Sequence, residues 1–504
     1  MTVEIIDMRP VSRRVALGAM LGAAASVGGC ASFSASRMRR LGAPSLPREF
    51  RAAWVATVDN IDWPSEPGLS EWEQRREIER ILDVAAAAHL NAIFLQVRPT
   101  ADALYPSRTE PWSAFLSGAQ GEGPSYDPLR VWIDGAHARG IDLHAWVNPF
   151  RARHVVSIGP DVAQHVVIRR PDLVRSYGPY LWLDPGEPEA RDLALRVTGE
   201  LLGRYDIDGV HMDDYFYPYP RDDAQFPDDA SYQRFRRGGG QLDRSSWRRQ
   251  NIDMFVQAMY ELTHAARRGA VFTISPFGIW RPEHPPGIRG FDAFEGLAAD
   301  SRRWLAEGWC DALLPQLYWK ISSEGQPFVP LLEWWLSQRG RAARHVWPGL
   351  YLTRIKPEGD DSPSWEAPEI VAQIEETRTR VAQPGYALFS MVGLLQNRRG
   401  VTDQLKERVL QAPALAPVSP WAGGRAPGTP HVRRLHDGRI WCAHEGRQLA
   451  VRSQRADGSW ATVIRPSSGG DLVTARGGRR VIINAVGLNG LTSDDVVISQ
   501  SGDQ

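Results

Sequence analysis

The sequence predicts a (β/α)8 barrel followed by a small all-β module, on three observations. Eight short apolar runs between residues 51 and 391 each lead into a polar loop and then a helix-length segment, the alternation a (β/α)8 barrel requires. Polar and aromatic residues gather at the C-terminal ends of those runs, where such barrels carry their chemistry. Residues 411–430, QAPALAPVSPWAGGRAPGTP, read as a Pro/Ala/Gly linker, and short β-type runs with turn signals follow it. A doubly wound sheet is the rival, but no glycine-rich phosphate loop follows the first run.

In chain order the runs are RAAWVATV (51–58), AIFLQVR (92–98), DLHAWVN (142–148), GVHMDDY (209–215), VFTISPF (271–277), DALLPQLYW (311–319), HVWPGLY (345–351) and GYALFSM (385–391). Helical periodicity lies between them: Ile78, Ile81, Leu82 and Ala85 mark one apolar face, and Ile252, Phe255, Val256 and Met259 another. The barrel is expected over 48–410. The β module, over 431–504, is marked by runs such as Arg439–Cys442 and Arg480–Asn484 and by the turns Asp437-Gly438, Asp457-Gly458 and Asn489-Gly490. It reads either as a glycan-binding module or as a cover for the barrel.

A chain of 504 residues has room for both units. Equal numbers of basic and acidic residues, 59 each, leave no global charge to steer it to nucleic acid. Three cysteines exclude a disulfide scaffold, and Cys310 and Cys442 read as free, buried thiols. Nineteen tryptophans offer flat faces for sugar rings, although most tryptophans fill cores.

Residues 11–30, VSRRVALGAMLGAAASVGGC, predict an export signal within 1–30, too short to span a bilayer. Ser12-Arg13-Arg14 is twin-arginine-like, though a general secretory signal has a similar pattern. Val27-Gly28-Gly29-Cys30 reads as a lipobox, making Cys30 the expected lipidation site and 31–47 a linker. Ala31, with no Asp after the cysteine, points to the periplasmic face of the outer membrane. The expected partners are therefore a membrane, through the lipid anchor, and a glycan.

Strand ends supply the site candidates. The first run leads to Asp59, Asn60, Asp62 and Trp63; the second ends in Gln96 and Arg98, then Asp102; the third carries His144, Trp146 and Asn148, with Arg151 beyond. The fourth supplies His211, Asp213, Asp214 and Tyr215, the fifth Ser275 and Trp280, and the sixth Gln316, Tyr318 and Trp319. In the fourth, alternation sends Val210 and Met212 towards the helices and His211 and Asp213 towards the barrel axis. Asp214 has the opposite parity, and reaches the cleft if the chain bends at the strand tip.

Glycosidic cleavage needs an acid for the departing oxygen and a carboxylate that attacks or activates water. Asp213 is the candidate for one role. Asp214 is the adjacent candidate for the other, while Asp102, Glu283, Glu295, Asp300 and Glu324 also lie on or near loops after strands. Arg98, Asp102, His144, Asn148, His211, Tyr215, Gln316 and Tyr318 are expected to hold substrate, with Trp146 and Trp319 as stacking faces. The histidines are scattered, no HxxxH or HxxEH helix occurs and there is no GxSxG elbow, so no metal, cofactor or serine nucleophile is expected.

At these residues the chain resembles the glycosyl hydrolase-like 10 family of bacterial envelope proteins. The matching stretches are RAAWVATVDNIDWPS (51–65), LQVRPTADALYPSRTEPWSAFLSGAQG (95–121), HAWVNPFRAR (144–153), DPGEPEAR (184–191), RYDIDGVHMDDYFYPYP (204–220), ISPFGIWRP (274–282) and LLPQLYW (313–319). The resemblance runs from about residue 48 to 400. It implies a barrel hydrolase, commonly a lipoprotein, and one member type cleaves peptidoglycan glycan strands stripped of their peptides. The DDYFYP block matches the family's most distinctive stretch and supports Asp213 and Asp214. The fourth run is also similar to the DxxDxDxE strand of chitinase-type barrels, with Asp208, His211 and Asp213 in register. Tyr215 stands where that pattern has its glutamate, so substrate-assisted catalysis is not carried over. The remaining alternatives are an exopolysaccharide hydrolase and a non-catalytic glycan-binding protein.

Overall fold

The computed structural model describes residues 43–221, 224–437, 439–467, 470–473 and 480–499. The expected export signal with Cys30, and residues 31–42 of the expected linker, lie outside the described residues.

The central sheet is parallel throughout. Its order is His345–Val346, Ala312–Leu313, Val271–Ile274, Gly209–Met212, Asp142–Val147, Ala92–Arg98, Phe50–Val55, Gly385–Leu388 and Gly349–Leu350. The two end pieces are halves of one run, interrupted at Trp347 and Pro348. Pro348 has no N–H to give to the ladder. The Trp347 amide still donates to the Leu313 carbonyl at 2.9 Å, and the Pro348 carbonyl accepts from Ala387 at 3.1 Å. The sheet therefore closes on itself as an eight-stranded barrel.

Helices Glu71–Ala87, Pro128–Ala138, Pro188–Arg204, Arg244–Ala266, Ser301–Glu307, Phe328–Ser337, Ala367–Arg380 and Val401–Arg408 alternate with the strands and cover the barrel. Their starts are encoded locally. Ser70 and Glu73 form a reciprocal capping box, and Asp127 accepts from the Arg130 amide ahead of a helix that opens on Pro128. Both faces of the strands are buried, as a parallel sheet under helices demands. Along the first strand Ala53 and Val55 pack outward beneath the helices, while Phe50, Ala52, Trp54 and Ala56 fill the barrel with Phe94, Trp146 and Trp347.

Most strands stop short of the ends of their apolar runs, the fourth and sixth with consequences for the site. The fourth ends at Met212, and the sixth shrinks to Ala312–Leu313 because Pro315 interrupts its ladder, although Gln316 still bridges to Phe277 and Gly349. The loop after the third strand holds a small antiparallel sheet that the sequence did not signal, made of Arg151–Arg153, Val174–Tyr177 and Tyr180–Leu183. It is anchored to the next strand's loop where the Trp182 indole donates to the Phe216 carbonyl at 2.9 Å.

The C-terminal strands form a three-stranded and a four-stranded antiparallel sheet around Ile440, Cys442, Leu449, Val451, Val481 and Ile483. Cys310 and Cys442 are both free and buried. The module sits under the barrel floor, at the N-terminal ends of the strands. Gln448 donates to the Gly140 carbonyl at 2.7 Å, Arg447 pairs with Asp206 at 2.8 Å and with Asp208, and Arg48 donates to the Gly490 carbonyl at 2.7 Å. The segment expected as a linker, 411–430, is pinned to the same floor. Asn91 donates to the Ala414 carbonyl, Arg51 to the Ala412 carbonyl and Gly269 to the Ala422 carbonyl. Alanine and proline leave the backbone carbonyls accessible, and the Asn91 and Arg51 side chains and the Gly269 amide take them up.

Candidate active site

At the mouth of the barrel, the chain leaves the fourth strand at Met212 and places Asp213 and Asp214 on its rim, both buried. Val210 and Met212 pack in the outer core, so Asp213 belongs to the inner face. It leans towards the third strand: Asn148 Nδ2 donates to Asp213 Oδ2 at 2.7 Å, and Trp146 Nε1 to the same oxygen at 3.3 Å. The Tyr215 hydroxyl, which accepts from Arg151 at 2.8 Å and from Asn148 Nδ2 at 3.4 Å, also lowers the proton affinity of Asp213. Asp214 leans the other way, accepting from the Tyr219 hydroxyl, and Gln316 at the end of the sixth strand also lowers its proton affinity.

These surroundings separate the two acids electrostatically. Burial pushes both carboxyls above the usual range. For Asp213 the Arg151 charge and the Tyr215, Asn148 and Trp146 hydrogen bonds oppose that push. For Asp214 the neighbouring Asp213 charge adds to it, and its carboxyl is pushed up to about 7 despite Tyr219 and Gln316. Asp214 is thus the better proton carrier near neutral pH and Asp213 the better carboxylate.

The donors to Asp213 are themselves oriented. The backbone amides of Thr57 and Val58 both donate to Gln96 Oε1 at 2.9 Å, and Gln96 Nε2 donates to Asn148 Oδ1 at 2.6 Å. Arg151 donates to that same Asn148 oxygen at 3.0 Å, to the Tyr215 hydroxyl at 2.8 Å and to the Pro99 carbonyl at 2.9 Å.

Four residues expected to hold substrate are committed elsewhere. Arg98 is fully buried; it pairs in two-pronged fashion with Glu110, at 2.8 and 2.5 Å, and also donates to the Asn148 and Pro149 carbonyls. A guanidinium this far from water requires its carboxylate inside the protein. Asp102 ties its own loop, accepting from the Thr100 amide at 3.1 Å and hydroxyl at 2.9 Å. His144 lies below the mouth, paired in register with Gly209 at the start of the fourth strand, and burial pushes its imidazole down to about 4. A Cβ at 209 would stand 2.4 Å from His144 Nδ1, so glycine is required there. His211 is enclosed by Trp54, Phe94 and Trp146. The Trp54 indole donates to its Nε2 at 2.9 Å and its Nδ1 meets Thr273 Oγ1 at 2.8 Å, so it is a neutral interior side chain. Asn148, Tyr215 and Trp146 do reach the mouth, but their polar groups serve Asp213.

On the far side the half-buried ring of Tyr318 stacks on Tyr351, with centroids 4.6 Å apart, and tilts against Phe389 at 6.0 Å. Trp319 stands edge-on to Phe277 at 5.7 Å, and Gln316 is anchored to the Ser275 carbonyl at 2.9 Å. Tyr351 and Phe389 follow the last paired residues of the seventh and eighth strands, Leu350 and Leu388. The strand-end rule, carried beyond the sixth strand, would have found them. Tyr219, 39% exposed, lies in the same DDYFYPYP stretch as the aspartates. Among the described residues, no group of three or more His, Cys, Asp or Glu side chains is arranged to hold a metal ion.

Residues 49–367 match the Glycosyl hydrolase-like 10 family. The chain is 38% identical over 396 residues to the glycosyl hydrolase YngK of Bacillus subtilis, covering 77% of each chain. It is 31% identical over 349 residues to the glycosyl hydrolase DigH of Escherichia coli K12, covering 64% of this chain and 79% of that one. Among solved structures it is similar to the PgaB (BpsB) glycoside hydrolase domain of Bordetella bronchiseptica, with 13% identity, a TM-score of 0.48, and 72% of this chain and 99% of that one covered. At that score the likeness decides nothing beyond what the strand pairing already shows.

Proposed function

The chain belongs to the Glycosyl hydrolase-like 10 family, and on that premise we propose that it is an exported glycoside hydrolase cutting peptidoglycan glycan strands, in particular strands free of peptides. The observation that carries this reading is the pair of buried, adjacent carboxyls at the barrel mouth with opposed surroundings. Asp214, holding its proton to about pH 7, gives it to the departing glycosidic oxygen as the bond to the anomeric carbon breaks. Asp213, whose upward push by burial is opposed by its donors and by Arg151, is the carboxylate that faces the positive charge developing at that carbon. Water then supplies the oxygen of the new reducing end and returns a proton to the acid. Tyr318, Tyr351 and Phe389 offer an aromatic shelf on which a sugar ring packs.

The export pattern and Cys30 support a place at the periplasmic face of the outer membrane, where such strands are met. A Cys30→Ser chain should lose its incorporated fatty acid and leave the membrane fraction. For the activity, products from amidase-stripped strands and from intact sacculi are compared by mass spectrometry, with wild type and Asp213→Asn. Short saccharides from stripped strands, with wild type alone, are expected. No release from either material sinks the peptidoglycan reading and turns the search to exopolysaccharides or to binding without cleavage.

A further inference from the structure

Every polar atom around Asp213 has a direction, and that direction is traceable to groups able to act in only one way. A backbone N–H only donates, so the Thr57 and Val58 amides fix Gln96 Oε1 as acceptor and turn its Nε2 outward as donor. Gln96 Nε2 and the Arg151 guanidinium, which has no acceptor, both point at Asn148 Oδ1. Asn148 is left to aim its N–H at Asp213. Arg151 likewise donates to the Tyr215 oxygen, so the Tyr215 proton is free for Asp213. The Trp146 indole is a donor by nature. The two side chains hydrogen-bonded to Asp213 therefore donate, the Tyr215 proton is available to it, and a protonated Asp213 would need an acceptor that this shell does not offer.

We propose that Arg151 and Gln96 are positioning residues that hold the Asp213 site in its carboxylate-accepting form by setting the direction of the Asn148 and Tyr215 hydrogen bonds. As a statement about catalysis, this rests on the hydrolase reading above. The groups facing Asp213 are Arg151 on the third-strand loop, Asp214, Tyr215 and Tyr219 beyond its own strand, and Tyr318 beyond the sixth. Among these Arg151 is the only cation. Neither positioning residue need touch the sugar.

The test uses the full chain and peptide-free glycan strands, with Arg151→Met, Arg151→Lys and Gln96→Glu. Gln96→Glu keeps the shape but, ionised, turns the position into an acceptor, so the Asn148 amide must rotate its carbonyl towards Asp213. Arg151→Met and Gln96→Glu should each move the acidic limb of the pH profile of kcat/KM upward by about one unit, a tenfold change in the ionised fraction at low pH. Arg151→Lys should leave the limb close to its wild-type position. In parallel, pH-difference infrared spectra follow the protonated carboxyl band that Asp213→Asn removes; that band should persist to higher pH in both variants. A limb and band that stay in place, with kcat/KM reduced evenly at all pH values, would overturn the proposal and make Arg151 a plain support or substrate contact. A displaced band in the variants, alongside a wild type that releases no saccharide, would instead retain the positioning role and defeat the hydrolase reading. Should Arg151→Met fail to fold, Gln96→Glu decides alone.

Discussion

Asp213 and Asp214 are consecutive in the chain but held from opposite sides of the barrel: Asp213 by Trp146 and Asn148 at the end of the third strand, Asp214 by Tyr219, with Gln316 of the sixth strand's end acting on it too. A strand tip allows this, because the ladder no longer holds the second carboxyl on the outer face. The division gives the two acids different proton affinities, and four outcomes follow from it or from the shell beneath it.

Replacing Asp213 by Asn should lower kcat on peptide-free strands by about 10³-fold or more while leaving strand binding within about threefold, as expected of a group acting mainly in the transition state. Turnover and equilibrium binding measured on one preparation check this. Turnover close to wild type would remove Asp213 from the chemistry.

The activity of wild type should decline as pH rises through about 7, where Asp214 loses its proton. Tyr219→Phe removes a hydrogen bond that favours the Asp214 carboxylate, so this basic limb should move to higher pH. A limb that moves down, or stays put, contradicts the acid role. The kcat profile of the two proteins is the measurement.

Stability should follow the same group. The folded-state proton affinity of Asp214 is raised, so its contribution is fully present below the unfolded value near 4 and is lost as pH rises towards about 7. Asp214→Asn carries no such titration and should be more stable than wild type at pH 8, by at most about 4 kcal/mol, with the gain shrinking as pH falls to 4. Urea unfolding at the two pH values tests it.

Arg98→Ala should cost about 3–5 kcal/mol, because it leaves Glu110 buried without its partner. Substrate affinity of the protein that still folds should change little, in contrast to the loss expected of a substrate-binding arginine. Thermal melting together with KM separates the two roles.

The barrel was legible in the sequence because each strand and helix announces itself locally, through an apolar run, an apolar face or a capping residue such as Ser70 or Asp127. The parity of the fourth strand followed from alternation alone, and Val210 and Met212 do pack outward. Depth along the barrel was not legible. His144 lies on the third strand and Asn148 just past its end, four residues on, yet one is below the mouth beside Gly209 and the other faces Asp213. Strand stagger decides that difference, and no single strand encodes it.

By itself, then, the sequence determined which residues arrive at the strand ends, since burial and backbone periodicity act over a few residues. Only the tertiary structure decided what those residues face. Arg98 is turned to Glu110, twelve residues on, while Arg151 reaches Tyr215, 64 residues away. Hydrogen-bond direction and the proton affinities of Asp213 and Asp214 are sums over groups brought from separate strands, and exist only once the barrel has closed.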